Sequence, residues 1–224
     1  EKVLKSINYD LKNTIFSFIP NTAEIAFYGL IKGAEDYLNR IKIERIQSWG
    51  KDFDEEKLTE MINRKIRIEK IAIKDVKLRT FITEDSSRNE MVQHVYDITY
   101  GTVKKHTDTL VVIDDSIVRG TTLKESIIRM LNRLQPKRII VVSSAPQIRY
   151  PDCYGIDMSK MGDFIAFRAA IALLKERNQE SLLTELLDKC NTLEKANELH
   201  TENVVRQVYK SFTLDEISGK IAQL

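Results

Sequence analysis

The stretch Val111-Val112-Ile113-Asp114-Asp115-Ser116-Ile117-Val118-Arg119-Gly120-Thr121-Thr122 contains the end of an apolar segment and the start of an amphipathic one. The apolar segment, residues 109–113, is rich in β-branched side chains, which is typical of a buried strand. Two aspartates end it. After the threonines, which are good N-cap residues, apolar side chains recur at helical spacing on one face: Leu123, Ile127, Met130, Leu131 and Leu134. The stretch therefore predicts a strand, a loop and a helix.

A second strand is predicted directly after this helix. Gln135-Pro136-Lys137 ends the helical pattern, and residues 138–142 form another β-branched run. Strand, helix and strand within about thirty residues make a βαβ unit, whose strands are parallel and whose crossover is right-handed.

The rest of the chain extends this pattern in both directions. Towards the amino terminus we expect a strand at 15–19 that ends at Pro20, followed by a helix. The apolar face of this helix consists of Ile25, Tyr28, Ile31, Ala34 and Leu38. A connection at 45–64 with a short helix at 55–62 then leads to a strand at 66–73. After Met161 the pattern is helical only, with helices at 162–176, 180–199 and 202–209 and a short one after Leu214. The prediction is an α/β core over residues 1–160, with a mostly parallel sheet flanked by helices, and a helical carboxy-terminal part over 161–224.

Composition narrows the class of protein. The 224 residues include 42% apolar and 30% charged side chains, and 35 basic against 33 acidic residues leave a net charge of +2. Because the charges are mixed along the chain, nothing indicates binding to nucleic acid or to an anionic membrane. No run reaches the ~18 apolar residues of a membrane span. Two cysteines without metal spacing indicate reduced thiols, and we expect a cytoplasmic protein.

The loop has the features of a phosphate site. Ligands bind open parallel sheets at the carboxyl ends of the strands, where Asp114 to Thr122 are placed. N–H groups at the start of a helix lack partners and favour anions, Gly120 allows close backbone approach, and the hydroxyls of Thr121 and Thr122 can donate to anionic oxygens. The lysine and spacing of a Walker A loop are absent.

The two adjacent carboxylates suggest a sugar next to the phosphate. Paired acids are unfavourable unless they meet a cation or accept hydrogen bonds from hydroxyls. A ribose diol with nearby Mg²⁺ would meet both needs, so Asp114 and Asp115 are the candidate metal ligands. The alternative, aspartates as turn formers and Thr121 as an ordinary cap, would suffice for an isolated Asp-Asp but explains the complete run less well.

The complete run resembles the phosphoribosyl-diphosphate loop of type I phosphoribosyltransferases. Residues 112–122 in particular resemble the form that this loop has in the amidophosphoribosyltransferases. Three further stretches agree with that family in the same order: residues 79–82 (RTFI), 144–151 (SAPQIRYP) and 154–158 (YGIDM). The resemblance covers roughly residues 75–160 and is weaker upstream.

This resemblance implies a type I phosphoribosyltransferase fold and a transfer reaction. The domain would add ammonia to C1 of 5-phosphoribosyl 1-diphosphate and release pyrophosphate, giving 5-phosphoribosylamine, the first intermediate of purine nucleotide biosynthesis. Asp114 and Asp115 would be catalytic and would stabilise positive charge on the ribose ring, with Ser116, Ile117, Val118, Arg119, Gly120, Thr121 and Thr122 completing the ribose 5-phosphate loop. Mg²⁺ would neutralise the leaving group.

A closing loop should keep the reactive sugar from water. The polar segment from Lys74 to about Thr107 is the candidate, with Lys74, Lys77, Arg79 and Arg88 as its cations and Thr22 as a further contact to pyrophosphate. For any one of the four cations, a solvated surface position is an equally good interpretation.

The chain also departs from the family. At the turn after the first strand, Asn21 supplies no charge and Ala23 no hydroxyl, where the family has an acidic residue and then small hydroxyl residues or glycine. The amino-terminal catalytic Cys of the glutaminase domain is absent from this sequence. We expect either that the domain lies upstream of Glu1 in a full-length protein or that the protein uses free ammonia, and family likeness suggests a homo-oligomer. Two alternatives remain: a non-catalytic module that senses phosphoribosyl diphosphate, and a nucleobase phosphoribosyltransferase.

Overall fold

The computed structural model describes residues 1–20, 22–50, 54–74, 96–152 and 158–224. These residues form two compact units. The first contains Glu1–Ser116 and Thr121–Pro146, and the second contains Ile117–Gly120 and Gln147–Leu224. The predicted helical part, 161–224, belongs to the second unit. The division that we predict at residue 160 stays a prediction.

The first unit alternates helices and strands, as an α/β fold does. In chain order its elements are α1 (Lys2–Ser6), β1 (Thr14–Phe18), α2 (Glu24–Trp49), α3 (Glu55–Asn63), β2 (Arg67–Ile68), β3 (Ala72–Lys74), β4 (Tyr96–Ile98), β5 (Thr109–Asp114), a π-helical segment (Leu123–Ile128) continued by α4 (Arg129–Asn132), and β6 (Arg138–Ser143). The predicted strands at 15–19, 109–113 and 138–142 are confirmed.

Four of these strands form a parallel sheet in the order β2-β1-β5-β6. The pairing of β5 with β6 on either side of the helical segment confirms the parallel βαβ unit. β5 is central, with Ile113 opposite Phe18 on one side and opposite Val142 on the other. The α/β class with a mostly parallel sheet is therefore confirmed.

Each face of the sheet is covered, because side chains alternate between the two faces of a strand. On one face Phe16, Phe18, Val111 and Ile113 pack with buried residues of α1 and α2. On the other face Ile15, Leu110 and Val112 pack with Ile71, Ala72 and the helical segment after β5, which contributes Ile127, Met130, Leu131 and Leu134. Burial of one such side chain stabilises the fold by about 1.5–3 kcal/mol.

The segment between α2 and β4 differs from the prediction. α2 continues to Trp49, so the first part of the predicted connection at 45–64 is helical. The predicted strand at 66–73 is divided into β2 and β3. After Ile68 the Glu69 N–H still donates to the Phe16 carbonyl at 3.1 Å, but the Ile71 N–H donates to the Ser17 hydroxyl at 3.2 Å. The chain thus leaves the parallel sheet here, and β3 pairs antiparallel with β4.

The second unit contains helices and turns in its described residues. These are a 3₁₀ turn (Met161–Asp163), α5 (Ile165–Glu176), α6 (Ser181–Lys195), a 3₁₀ turn (Leu199–Thr201), α7 (Arg206–Lys210) and α8 (Leu214–Ile221). Their shared core is centred on Ala170, Leu174, Tyr209 and Ile217. Cys190 of α6 is a free cysteine. Among the helices of the described segments, none has the length and apolarity that a bilayer crossing would need.

A buried ion pair stabilises the amino-terminal end of the sheet. The guanidinium of Arg67 donates to both carboxylate oxygens of Asp108, at 2.6 and 2.8 Å, and the Lys104 N–H donates to the same carboxylate at 2.7 Å. The Asp108 side chain is fully buried. Burial opposes its ionisation, but these hydrogen bonds outweigh that effect and lower the pKa of Asp108 below its ordinary value of 3.8.

We predict that Asp108→Asn lowers the free energy of unfolding by about 3 kcal/mol at pH 7, since it leaves the Arg67 charge without its counterion. Because the pKa of Asp108 is lowered, its contribution is present at neutral pH and is lost as the pH falls below the ordinary value of 3.8. Urea unfolding of the two proteins between pH 3 and pH 7 measures the difference.

The matched control is Asp36→Asn, which removes the exposed i,i+4 pair with Lys32. This variant should unfold like the unchanged protein at every pH. If Asp108→Asn behaved like Asp36→Asn, the buried pair would not be stabilising.

Candidate functional site

The two aspartates of the loop lie at the carboxyl edge of the parallel sheet. Asp114 is the last residue of β5 and lies opposite Ser143, the last residue of β6. On the other side, the Ile19 N–H just after β1 donates to the Ile113 carbonyl at 2.8 Å. The ends of β1, β5 and β6 therefore meet at one edge, which is where open parallel sheets bind their ligands.

Asp114 is partly buried and has an altered acidity. Its Oδ1 accepts a hydrogen bond from the Asp115 N–H at 2.9 Å. Burial, together with the neighbouring Asp115 charge, raises the pKa of Asp114 from its ordinary value of 3.8 to about 6, although the hydrogen bond from the Asp115 N–H acts in the opposite direction. A carboxylate in this state is stabilised by any ligand that brings a cation or a hydroxyl donor.

Both carboxylate oxygens of Asp115 accept hydrogen bonds. The Ser116 N–H donates to Oδ1 at 2.7 Å, and the Thr22 hydroxyl donates to Oδ2 at 2.6 Å. Thr22 and Asp115 are 93 residues apart in the sequence. The structure thus brings together Thr22 and the acidic pair, which we selected separately from the sequence.

The segment after β6 supports the backbone of the acidic pair. The Ser144 N–H donates to the Asp114 carbonyl and the Ala145 N–H to the Asp115 carbonyl, each at 2.9 Å. The Ser144 hydroxyl donates to the Asp115 carbonyl at 3.0 Å. The family resemblance of residues 144–151 does not predict this supporting role. The available signal was that 144 directly follows the strand next to β5.

The turn that carries Thr22 is anchored in the core. Ala23 is completely buried, in the same apolar cluster as Phe18 and Phe27. Thr22 itself is exposed. Asn21 lies outside the described residues. A hydroxyl at position 23 would be buried within this cluster, so the missing hydroxyl at Ala23 does not remove a group from the surface of the site.

The middle of the loop, residues 117–120, belongs to the second unit. There the Val118 carbonyl accepts a hydrogen bond from the Ile165 N–H at 2.8 Å, and the Arg119 guanidinium lies 3.7 Å from the Asp163 carboxylate. Gly120 has φ +74°, a left-handed conformation that side chains rarely adopt. Backbone conformation, rather than close approach alone, thus requires glycine here.

The interpretation of Thr121 and Thr122 as caps is wrong. Both residues are already helical, and the Thr122 side chain makes no cap hydrogen bond. Because Gly120 makes the turn, the helix begins one residue earlier than a threonine cap would allow. Both side chains are exposed.

The remaining candidates lie around the predicted closing loop. Lys77, Arg79 and Arg88 lie outside the described residues, as does the motif at 154–157. Lys74 is the last residue of β3. The predicted loop segment, Lys74 to about Thr107, also contains β4, and Lys74 of β3 pairs with Tyr96 of β4.

Part of this chain is similar in sequence to curated proteins. An amidophosphoribosyltransferase from Schizosaccharomyces pombe is 38% identical over 90 residues, which cover 38% of this chain and 17% of the yeast protein. One from Escherichia coli is 47% identical over 57 residues, which cover 25% of this chain and 11% of the bacterial protein.

The resemblance to amidophosphoribosyltransferases is confirmed. The matched residues span less than a fifth of the length of these relatives. A solved structure of the allosteric regulatory enzyme of purine biosynthesis aligns with a TM-score of 0.44 and 26% identity, over 68% of this chain and 26% of that one. No family model matches the chain.

We predict that Asp114→Asn makes the folded protein more stable above pH 6. The pKa of Asp114 is raised in the folded state to about 6, so ionisation of this carboxyl opposes folding as the pH rises from about 4 to 6. Asn keeps the acceptor for the Asp115 N–H and cannot ionise. The gain in free energy of unfolding at pH 7.5 should be at most about 3 kcal/mol.

Thermal unfolding from pH 3.5 to pH 8 checks this prediction, with the exposed helical variant Glu35→Gln as control. The increase in thermal stability caused by Asp114→Asn should become smaller toward low pH. An increase in stability that did not depend on pH would contradict the assigned burial of the charge.

We also predict that Gly120→Ala lowers the free energy of unfolding by about 1–2 kcal/mol, because alanine is strained at φ +74°. An added Cβ would meet Ile165 at 3.4 Å, an ordinary contact, so the cost comes from the backbone. Gly29→Ala, inside α2 with open space around it, is the matched control and should stabilise by about 0.5–1 kcal/mol. If both substitutions changed the free energy of unfolding equally, the backbone strain assigned to position 120 would be disproved.

Proposed function

We propose that this chain is a phosphoribosyltransferase domain that adds ammonia to C1 of 5-phosphoribosyl 1-diphosphate, releasing pyrophosphate and forming 5-phosphoribosylamine for purine nucleotide synthesis. The observation that carries the proposal is the pair Asp114 and Asp115 at the carboxyl end of β5, with a hydroxyl donor, Thr22, already bound to it. The curated relatives named amidophosphoribosyltransferase support the choice of reaction.

The residues of the site fit the demands of this substrate. A ribose diol can donate hydrogen bonds to the two carboxylates. As pyrophosphate leaves, positive charge develops on the ribose ring, and nearby carboxylates stabilise that charge most strongly where water is excluded. The partly buried position of Asp114 provides such an environment. Ser116, Ile117, Val118, Arg119, Gly120, Thr121 and Thr122 would bind the 5-phosphate.

Mg²⁺ fits the donor set only in partnership with the substrate. Among the described residues, no group of three or more His, Cys, Asp or Glu side chains could hold a metal ion. Asp114 and Asp115 would hold Mg²⁺ together with oxygens of the substrate, as is usual for this ion at phosphate sites. When bound, it would supply charge neutralisation for the leaving pyrophosphate.

We propose the other partners from the same resemblance. A glutaminase domain of the full-length protein would supply ammonia, and the protein would act as a homo-oligomer in the cytoplasm. Thr22, Lys74, Lys77, Arg79 and Arg88 are proposed as contacts to pyrophosphate. No partner nucleic acid or membrane is proposed.

The test is a measurement of pyrophosphate release from 5-phosphoribosyl 1-diphosphate with Mg²⁺ and concentrated ammonia at pH 8. Release should require both ammonia and Mg²⁺. We predict that Asp114→Asn combined with Asp115→Asn reduces the rate by at least about a hundredfold, the usual loss when electrostatic stabilisation of a transition state is removed.

Two further measurements separate the alternatives. Adenine, hypoxanthine, uracil and orotate are tested in place of ammonia, and turnover with one of them would instead identify a nucleobase phosphoribosyltransferase. Binding without turnover would identify a sensing module. A double variant that stays folded and keeps full activity would contradict the role of the carboxylates.

A further inference from the structure

The two carboxylate oxygens of Asp115 differ in how easily their hydrogen-bond donors can be replaced. Oδ1 accepts from the backbone N–H of Ser116, which is fixed by the course of the loop. Oδ2 accepts from the side-chain hydroxyl of Thr22 at 2.6 Å. A hydroxyl can leave its acceptor through rotation about one side-chain bond, whereas a backbone N–H cannot. Oδ2 is therefore the atom of Asp115 that can change its partner.

The backbone next to Thr22 keeps its hydroxyl near this atom. On one side the Ile19 N–H is bonded to the Ile113 carbonyl at 2.8 Å, one residue before the acidic pair. On the other side Ala23 is completely buried and is the N-cap residue of α2. Thr22 is exposed between these two anchors, so its side chain can rotate toward solvent.

The contact from Thr22 is chemically the one that a sugar would make. A ribose hydroxyl is also an O–H donor of similar size, and a carboxylate accepts such a donor in a short, charge-assisted hydrogen bond. Since Ser116 already fixes the orientation of the Asp115 carboxylate, the Thr22 hydroxyl is not needed for that purpose. Its effect on an incoming ribose is competition for Oδ2.

We propose that Thr22 is a placeholder, whose hydroxyl occupies Oδ2 of Asp115 until a ribose hydroxyl displaces it. The inference rests on the proposed function, because it assigns the ribose of the ligand to the acidic pair. Once displaced, the Thr22 hydroxyl can donate to an anionic oxygen of the same ligand. Thr22 is thus a residue that sets the affinity and selectivity of the site, not a catalytic residue.

The proposal predicts an unusual gain of affinity on removal of a polar group. Thr22→Val keeps the shape of the side chain and lacks the hydroxyl, so ribose 5-phosphate no longer has to break a hydrogen bond on binding. Its dissociation constant, measured by calorimetry on the whole chain, should fall by roughly threefold to tenfold. Thr22→Ser restores the donor and should restore the original affinity.

Inorganic phosphate is the control ligand, because it has no hydroxyl of a sugar to place on Asp115. Its affinity should be equal in the three proteins. Thr22→Ala replaces Thr22→Val if valine lowers the melting temperature. If the variant without the hydroxyl binds ribose 5-phosphate equally or more weakly, the placeholder role of Thr22 is overturned and the proposed function still stands. Failure of every protein to bind ribose 5-phosphate overturns both.

Discussion

The burial of β5 on both faces is the constraint on which the site depends. Leu110, Val111 and Val112 are almost completely inaccessible to solvent, and the strand has a parallel neighbour on each side. A shift of one residue would exchange its two faces and would move Asp114 from its place opposite Ser143 at the end of the strand. The core therefore determines where the acidic pair is placed. In a parallel sheet this position is next to the ends of β1 and β6, which explains why Thr22 and Ser144 are its neighbours.

The same burial gives the acidic pair its chemistry. Two carboxylates in sequence repel each other, and partial burial of Asp114 makes its ionised form less stable. Among the described residues, the N–H groups of Asp115 and Ser116 and the hydroxyl of Thr22 donate hydrogen bonds to the two carboxylates. Such donors reduce the cost of ionisation without neutralising the charge. A site of this kind is stabilised by a ligand that brings more hydroxyls or a cation, so stability and function are in opposition at Asp114.

The sequence predicts the long elements of the sheet, and it fails where the structure depends on tertiary contacts. β1, β5 and β6 are apolar runs of five or six residues, and the parallel pairing of β5 with β6 follows from the helix between them. β3 and β4 have three residues each, too few for a periodicity, and they are defined only by their mutual pairing. The threonine cap failed because the left-handed conformation of Gly120 makes the turn at an earlier residue.

The turn after β1 shows how a departure from a family pattern depends on packing. In the sequence, Asn21 lacks the charge and Ala23 lacks the hydroxyl of the family pattern. In the structure the Ala23 side chain belongs to the apolar cluster of Phe18 and Phe27, where an unpartnered hydroxyl would itself be unfavourable. In the same turn, the Thr22 hydroxyl donates to Asp115 of the acidic pair. If the Thr22 hydroxyl is released when a sugar binds to Asp115, this hydroxyl becomes available to donate to an anionic oxygen of the same ligand. A site that lacks a permanent donor at position 23 can then still acquire one from position 22.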